Sequence, residues 1–422
     1  MKPNRAIFTS ILLLWWFWPQ AQSRDTVQLT LQQAESVFLQ NNMSVLAAQY
    51  GVDASQALIK QARLWDNPIL LTDQNLYDGR FMSHSKSDVT GTSGQIYIQV
   101  QQLLRIGGKI SKQTALASTN AHIAQLQLQA LLHDLRYSLR TDLYQTAQLD
   151  ASLRLYNDEL VQVNKLLKGM QAQLQAGNIS QKEYLRIQAL QLNLMQDIAG
   201  YQRNLSDVQA ELHTLLPTLA TAYIRPVIQA PKITQAIPSI DSLLTTARQN
   251  NPEYLLEQTN LTYQEQNLRY QRALRLPDLT AGIEYDKASS YVPNYVGLTL
   301  ALPLPVFNRN QGNIAAAGFA IKQQQATVGA AEQKLTANVQ NAIEQWHINQ
   351  QLWAGTDTSF SPKYNTLLHN AINAYQQKQL GLLEFIDVFE AYKTTQIQLL
   401  QQQYNTQKAA EDLNRVTGTN LF

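Results

Sequence analysis

The chain has 422 residues, of which 45% are hydrophobic and only 15% are charged, and its formal net charge is +2. This near-neutral balance lacks the basic surface that binding to nucleic acid or to anionic membranes requires. The chain contains no cysteine, which excludes disulfide bonds, thiolate metal sites and a lipid-modified N-terminal cysteine.

The N-terminus has the pattern of a secretory signal peptide over residues 1–22. Lys2 and Arg5 supply positive charge, residues 6–18 form an apolar core, and small residues around Ala21 offer a cleavage site. This core is too short to cross a bilayer as a helix, and no other segment reaches the ~18 apolar residues that a transmembrane helix needs. A mature chain embedded in a membrane would therefore have to use β-strands.

Residues 23–216 are predicted to form a first structural repeat. Between Gly108 and Gly169 there is neither proline nor glycine, which permits an unbroken helix of ~90 Å at 1.5 Å per residue. No compact globular domain needs such a helix. The predicted elements are a helix over 28–64, strands at about 68–77 and 95–103, and long helices over 109–176 and 178–216.

A linker over residues 217–239 contains four prolines and cannot be a continuous helix. A second repeat is predicted over residues 240–422. Its predicted elements are a helix over 240–274, strands at about 278–286 and 295–302, and helices over 313–354, 363–380 and 382–417.

The two repeats are weak in identity but share one order of features. Asn42 corresponds to Asn251, and placing Gly177 over Gly381 aligns Glu183 with Asp387. Both glycines are expected to end a helix in the left-handed conformation that glycine favours.

The predicted strands alternate between apolar and polar residues, as in Ile96, Ile98 and Val100 against their neighbours. Such alternation is typical of a transmembrane β-strand, although the pattern alone favours an ordinary half-buried soluble sheet. Four strands cannot close a barrel, so strands in lipid require oligomerisation, and a trimer would supply twelve.

The chain resembles the TolC-like outer-membrane efflux family over essentially its whole mature length. The resemblance lies in the duplicated layout, in "LLRIGGK" at 103–109, and in the hairpins "QAGNISQKEY" and "KQLGLLEFIDVFEA". The stretch 302–317 and the ending "LNRVTGTNLF" resemble the heavy-metal branch, the CzcC-like and CusC-like subunits. One departure is the absence of cysteine, since many close relatives are lipoproteins.

The resemblance implies an α+β membrane protein: a homotrimer with a twelve-stranded outer-membrane β-barrel continued by a long periplasmic α-helical barrel. It also implies contact with outer-membrane lipid, a periplasmic adaptor protein and a resistance–nodulation–division pump of the inner membrane. The implied function is passive conduction of substrates, in this branch heavy-metal cations, to the exterior.

By the same resemblance, acidic residues of the second hairpin line the periplasmic gate. The matching residues are Asp387 and Glu390, which lie on one helix face, with Glu384 nearby. Three copies would form a carboxylate ring that favours cations; two solvated acids on an amphipathic helix are the simpler interpretation. A Glu183–Lys378 ion pair is the expected latch, because an exposed pair of ~0–1 kcal/mol can release.

The hairpin tips are expected to contact the adaptor. The residues in question are Gly177, Asn178, Leu380, Gly381, Leu382 and Leu383.

No catalytic, cofactor or metal site is predicted: the six histidines are scattered, and no nucleophile elbow, phosphate loop or HExxH motif occurs. Two alternatives remain open: the same fold could serve drug efflux or type I secretion, or the chain could be a soluble periplasmic coiled-coil adaptor. A third alternative, an exported hydrolase, has no supporting motif.

Overall fold

The computed structural model describes residues 25–74, 76–77, 96–228, 237–287, 292–356 and 360–422, with the backbone alone for 360–365. The predicted signal peptide lies outside the described residues, as does most of the segment between the two strands predicted for the first repeat. The strands are β1 (Thr26–Leu29), β2 (Ile69–Gln74), β3 (Ile96–Leu104), β4 (Tyr223–Pro226), β5 (Leu279–Asp286) and β6 (Tyr295–Ala301). The helices are α1 (Leu31–Asn41), α2 (Met43–Ala62), α3 (Lys109–Gln175), α4 (Gln181–Leu215), α5 (Ile240–Asn250), α6 (Pro252–Leu274), α7 (Gln311–Ala354), α8 (Phe360–Gln376) and α9 (Leu382–Thr417).

The chain divides into two compact units that do not coincide with the two sequence repeats. The first unit comprises 1–42, 135–234 and 348–411, and the second comprises 43–134, 235–347 and 412–422. Each repeat contributes to both units, because the boundaries fall within α3 and α7. None of the helices in the described ranges is both long and apolar enough to cross a membrane.

The second unit contains a four-stranded antiparallel sheet in the order β2-β3-β5-β6. Val100 pairs with Ile283, which pairs with Leu298, and this apolar row is exposed, Ile283 by 65% and Leu298 by 70%. On the alternate positions Gln99 is buried and donates to Thr299 Oγ1 at 2.8 Å and to Glu284 Oε2 at 3.3 Å. The sheet thus satisfies its polar side chains and leaves its apolar side chains uncovered, which is the reverse of a half-buried soluble sheet.

The opening helix of each repeat is divided by an asparagine, whereas the sequence pattern predicts single helices over 28–64 and 240–274. Asn42 and Asn251 have extended backbones with ψ of 117° and 115°, and Pro252 begins α6. Proline suits the first position of a helix, where its missing N–H is not needed. Periodicity continues across such a one-residue break, which is why the break is not visible in the pattern.

The two asparagines also make equivalent long-range contacts. Asn42 Nδ2 donates to the Leu215 carbonyl at 3.3 Å in the first unit, and Asn251 Nδ2 donates to the Val416 carbonyl at 3.2 Å in the second. Each contact joins the opening of one repeat to the end of its last helix, and it satisfies a carbonyl that the helix leaves unpaired.

The predicted linker over 217–239 contains structure that the sequence pattern does not show. A 3₁₀ turn spans Pro217–Leu219, and β4 pairs in parallel with β1. The Gln209 side chain accepts from Ile224 N at 3.0 Å and donates to the Ile224 carbonyl at 2.8 Å. Strands of four residues are too short to display alternation, so neither was predicted.

Candidate functional site at two helical hairpins

The first unit contains two helical hairpins that share one hydrophobic core. Its members include Ile187 and Leu194 of α4 and Phe385 and Phe389 of α9, all fully buried. The four-residue spacing of Phe385 and Phe389 places both rings on one face of α9. Tyr375 of α8 stacks on Phe385 with ring centroids 5.0 Å apart. This core fixes which face of each helix points away from it.

The turn of the first hairpin joins α3 to α4. Gly177 has a φ of 75°, and Asn178 N donates to the Gln173 carbonyl at 2.9 Å. Ser180 then caps α4: its hydroxyl accepts from Glu183 N, and the Glu183 carboxylate accepts from Ser180 N at 3.0 Å. The turn therefore combines a glycine where left-handed backbone is required with a complete capping box.

The turn of the second hairpin has the same hydrogen bonds but different residues. Lys378, with a φ of 58°, takes the place of Gly177, and Gln379 N donates to the Ala374 carbonyl at 2.8 Å. The predicted left-handed conformation of Gly381 is wrong. Gly381 instead occupies the position of Ser180, and its carbonyl accepts from Phe385 N at 2.9 Å as α9 begins.

This geometry also corrects the alignment of the hairpins by three residues. Glu183 is the third residue of α4, and the third residue of α9 is Glu384, not Asp387. Matching glycine to glycine was misleading because a lysine accepts the left-handed position in the second turn. Residues other than glycine seldom adopt the left-handed conformation, so a sequence pattern does not indicate a lysine that does.

The three acids predicted for the gate lie on α9. Glu384 and Asp387 are exposed, whereas Glu390 is half-buried. Glu390 Oε2 lies 2.6 Å from Lys393 Nζ, and the same ammonium lies 3.9 Å from Asp197 Oδ2 of α4. The structure therefore brings Asp387 and Glu390 onto one stretch of helix, but it pairs Glu390 with a lysine and leaves Asp387 exposed.

The two residues predicted for the latch belong to different hairpins, and both have a link to Tyr375 of α8. The Glu183 carboxylate is engaged by the Ser180 backbone, and it lies close enough to Tyr375 to add to the effect of burial in raising the pKa of that phenol. Lys378 N donates to the Tyr375 carbonyl at 3.0 Å, and the Lys378 side chain is exposed. Tyr375 thus accepts a backbone hydrogen bond from Lys378 and experiences the charge of Glu183.

The residues predicted for the hairpin tips differ in exposure. Gly177, Asn178 and Gly381 are exposed. Leu380 and Leu382 are partly buried and pack against the core, and Leu383 is 65% exposed. Of the three leucines, Leu383 is the one that presents a largely free apolar surface.

The sequence interpretation missed an acidic residue inside this core. Glu159 of α3 is buried, with Tyr156 three residues before it and Val163 four residues after it in the same hydrophobic cluster. A carboxylate within an apolar stripe is the signal that could have identified it. In the described ranges, no group of three or more His, Cys, Asp or Glu residues could hold a metal ion.

Residues 34–217 and 243–419 match the family model for outer membrane efflux proteins, and the chain belongs to that family. The two matched ranges cover both repeats and omit most of the linker. The chain is accordingly an outer-membrane protein with the α+β class predicted from its sequence.

Two characterised relatives have different roles. The chain is 23% identical to the cobalt-zinc-cadmium resistance protein CzcC of Cupriavidus metallidurans, over 92% of this chain and 90% of that protein. It is 24% identical to the pyoverdine export outer membrane protein OpmQ of Pseudomonas putida, over 62% of this chain and 54% of that protein.

Solved structures show the same fold at low identity. The structure of CusC has a TM-score of 0.73 at 17% identity, covering 94% of both chains. The outer membrane protein VceC from Vibrio cholerae has a TM-score of 0.71 at 18% identity, covering 93% of this chain and 97% of that one. The resemblance stated for the sequence, to TolC-like efflux channels and their heavy-metal branch, is confirmed.

Proposed function

We propose that this chain is the outer-membrane channel subunit of a tripartite efflux pump and that its substrates are heavy-metal cations. The observation that carries the proposal is the similarity to CzcC over 92% of the chain. The acids of α9 support it, because exposed carboxylates at a constriction favour cations over anions. A channel subunit performs no catalysis and needs no cofactor.

The working assembly in this proposal is a homotrimer. In the described part of the sheet, β2 and β6 stand at the two edges, each with one neighbouring strand. Pairing β6 of one copy with β2 of the next would join twelve strands from three chains into a β-barrel, with the exposed row of Ile283 and Leu298 facing outer-membrane lipid. The helices would then form the periplasmic barrel.

The hairpins of the first unit supply the other proposed contacts. Asp387, with Glu384 and Glu390, lines the gate, and a Glu183–Lys378 pair holds it closed. The tips meet a periplasmic adaptor through Leu383 and the exposed turn residues, and the adaptor connects the channel to a resistance–nodulation–division pump. A closed gate that depends on weak exposed pairs can open when the adaptor binds.

Deletion of the gene tests the substrate. We expect the deletion strain to become sensitive to zinc, cobalt or nickel, or to copper or silver, and the wild-type gene to restore resistance. Asp387→Asn should restore resistance only in part, whereas Asp207→Asn, which removes an exposed acid of α4, should restore it fully. Unchanged metal tolerance in the deletion strain would contradict the metal assignment.

Export of organic molecules is the second candidate, because the chain is also similar to a pyoverdine export protein. The same deletion strain distinguishes the two. Sensitivity to organic toxicants, or loss of a secreted siderophore, with unchanged metal tolerance would favour this candidate.

Charge reversal tests the latch. Lys378→Glu should raise the leak conductance of the purified channel in a planar bilayer, because the closed gate would lose an attractive contact and gain a repulsive one. Lys168→Glu, which reverses an exposed charge away from the turns, is the control. Equal leak conductance in the two variants would show that Lys378 does not help to close the gate.

A further inference from the structure

Glu159 lies in the core that the two hairpins share. It is 2% exposed, and neither of its carboxylate oxygens has a hydrogen-bond partner. Its neighbours on the same face of α3, Tyr156 and Val163, belong to the core. An ionised carboxylate in such a place is strongly unfavourable, because nothing replaces the water that it has lost.

Charged groups face Glu159 from three helices. Lys393 and Glu390 come from α9, Asp197 from α4, and Asp158 from α3 itself. The Lys393 side chain is only 13% exposed, and its ammonium spans the 2.6 Å contact to Glu390 and the 3.9 Å approach to Asp197. The phenols of Tyr156 and Tyr392 also face Glu159, and its charge contributes to raising their pKa values.

The pKa of Glu159 is raised to about 8: burial is the largest cause, Lys393 opposes it, and Glu390, Asp197 and Asp158 add to it. Glu159 is therefore uncharged at neutral pH, and Lys393 is left to the carboxylate of Glu390. Above that pH the proton passes from the carboxyl group to solvent, and a second buried anion competes for the same ammonium.

We propose that Glu159 is a proton-binding positioning residue that controls, through Lys393, whether the predicted gate acid Glu390 is paired or free. With the proton bound, Lys393 neutralises Glu390. With the proton released, Lys393 is shared with Glu159, and the negative charge of Glu390 is less completely neutralised. This inference rests on the proposed function in one respect, namely that Glu390 lines the conducting path.

The same titration affects stability with a definite sign. The folded chain holds this proton up to about pH 8, whereas the unfolded chain releases it near the ordinary value of 4.5. The folded state therefore binds more protons than the unfolded state between these values, and its stability falls as pH rises through this range. The contribution is fully present below pH 4.5 and is lost above pH 8. Glu159→Gln should remove that pH dependence.

The first experiment observes the carboxyl group directly, by infrared difference spectroscopy of the full-length protein titrated from pH 6 to pH 10. Every protein in this experiment carries Asp142→Asn, because burial also raises the pKa of Asp142 to about 7. We expect wild type to lose a buried carboxylic-acid band around pH 8, and Glu159→Gln to lack that band. Asp158→Asn is the matched control, because it removes the adjacent exposed acid and should keep the band with a lower midpoint. A wild-type protein without such a band, or a band that persists in Glu159→Gln, would overturn the proposal.

The second experiment measures function, as the reversal potential of single channels in a potassium chloride gradient over the same pH range. Wild type should become more cation-selective across a step near pH 8, Glu159→Gln should lose the step, and Glu159→Asp should keep one. A step of unchanged size in Glu159→Gln would overturn the inference. If the protein forms no channel at all, the proposed function fails, whereas the infrared titration still decides the protonation of Glu159.

Discussion

The turns of the first and second hairpins have the same backbone hydrogen bonds but differ in the residues that make them. The first turn has Gly177 at its left-handed position and a serine-and-glutamate capping box at the start of α4. The second turn forces Lys378 into the left-handed conformation, and its N-cap residue, Gly381, has no side chain with which to cap α9. Both differences make the second turn less stable. A residue with a side chain is strained at positive φ, and glycine has no side-chain oxygen to accept hydrogen bonds from the first N–H groups of a helix.

The difference continues into the helices that lead to the turns. α3 runs without interruption for 67 residues to the first turn, whereas α7 ends at Ala354 and α8 begins at Phe360 before the second turn. The exposed acids Glu384 and Asp387 lie in the second hairpin. The hairpin to which the gate is assigned therefore has the less favourable turn, while both hairpins share one core.

Removal of a ring from the shared core should have the largest effect. Phe389→Ala should lower the free energy of unfolding by about 3–5 kcal/mol, because the ring is fully buried and leaves a cavity. Leu194→Ala in the first hairpin should cost a comparable ~2–5 kcal/mol. Urea unfolding of the detergent-solubilised protein, followed by circular dichroism, measures both.

The control for the core is Leu383→Ala, since this side chain is 65% exposed. It should change stability by less than ~0.5 kcal/mol. A large loss in Phe389→Ala with no loss in Leu194→Ala would show that the hairpins are stabilised separately, contrary to the shared core.

The sequence predicted the long helices and the strands well because their signals are repeated over many residues. The absence of proline and glycine between Gly108 and Gly169 predicted α3, and alternation predicted β3, β5 and β6. Where the signal is a single residue, prediction failed. The breaks at Asn42 and Asn251 interrupt an otherwise continuous periodicity, and the four-residue strand β4 has no periodicity to read.

The candidate site was predicted less completely than the fold. The acids Glu384, Asp387 and Glu390 were named from the hairpin that carries them, but the pairing of Glu390 with Lys393 depends on side-chain contacts. Glu159 is more than two hundred residues from Lys393 in the chain, so no local pattern joins them. The glycine-based alignment failed because a lysine in the left-handed conformation cannot be distinguished from a helical lysine by its neighbours.

Substitution of Gly177 tests the difference between the turns, and its expected effect on stability is smaller than that of the core substitutions. Gly177→Ala should destabilise the first turn by about 1–2 kcal/mol, because its φ of 75° is unfavourable for any residue with a Cβ atom. Gly169→Ala is the control: Gly169 lies within α3, an added Cβ atom would meet no other atom within 4 Å, and the substitution should stabilise by roughly 0.5–1 kcal/mol. Hydrogen exchange of the backbone amides from 173 to 183 reports both effects. Equal protection in the two variants would mean that the left-handed glycine does not stabilise this turn.

The smallest expected effect comes from giving the second hairpin the cap of the first. Gly381→Ser places a serine three residues before Glu384, which reproduces the arrangement of Ser180 and Glu183. The gain should be only a few tenths of a kcal/mol, because glycine is already an acceptable N-cap residue. Slower hydrogen exchange at the amides of Glu384 and Phe385 would detect it, and Ser180→Gly should produce the matching loss at Glu183 and Tyr184.

The capping box would also draw the Glu384 carboxylate to the backbone, as it does for Glu183, and so remove one free charge from the predicted gate. If exchange slows while cation selectivity is unchanged, the charge at the gate comes from Asp387 and Glu390, and the missing cap serves only to keep the second turn loose.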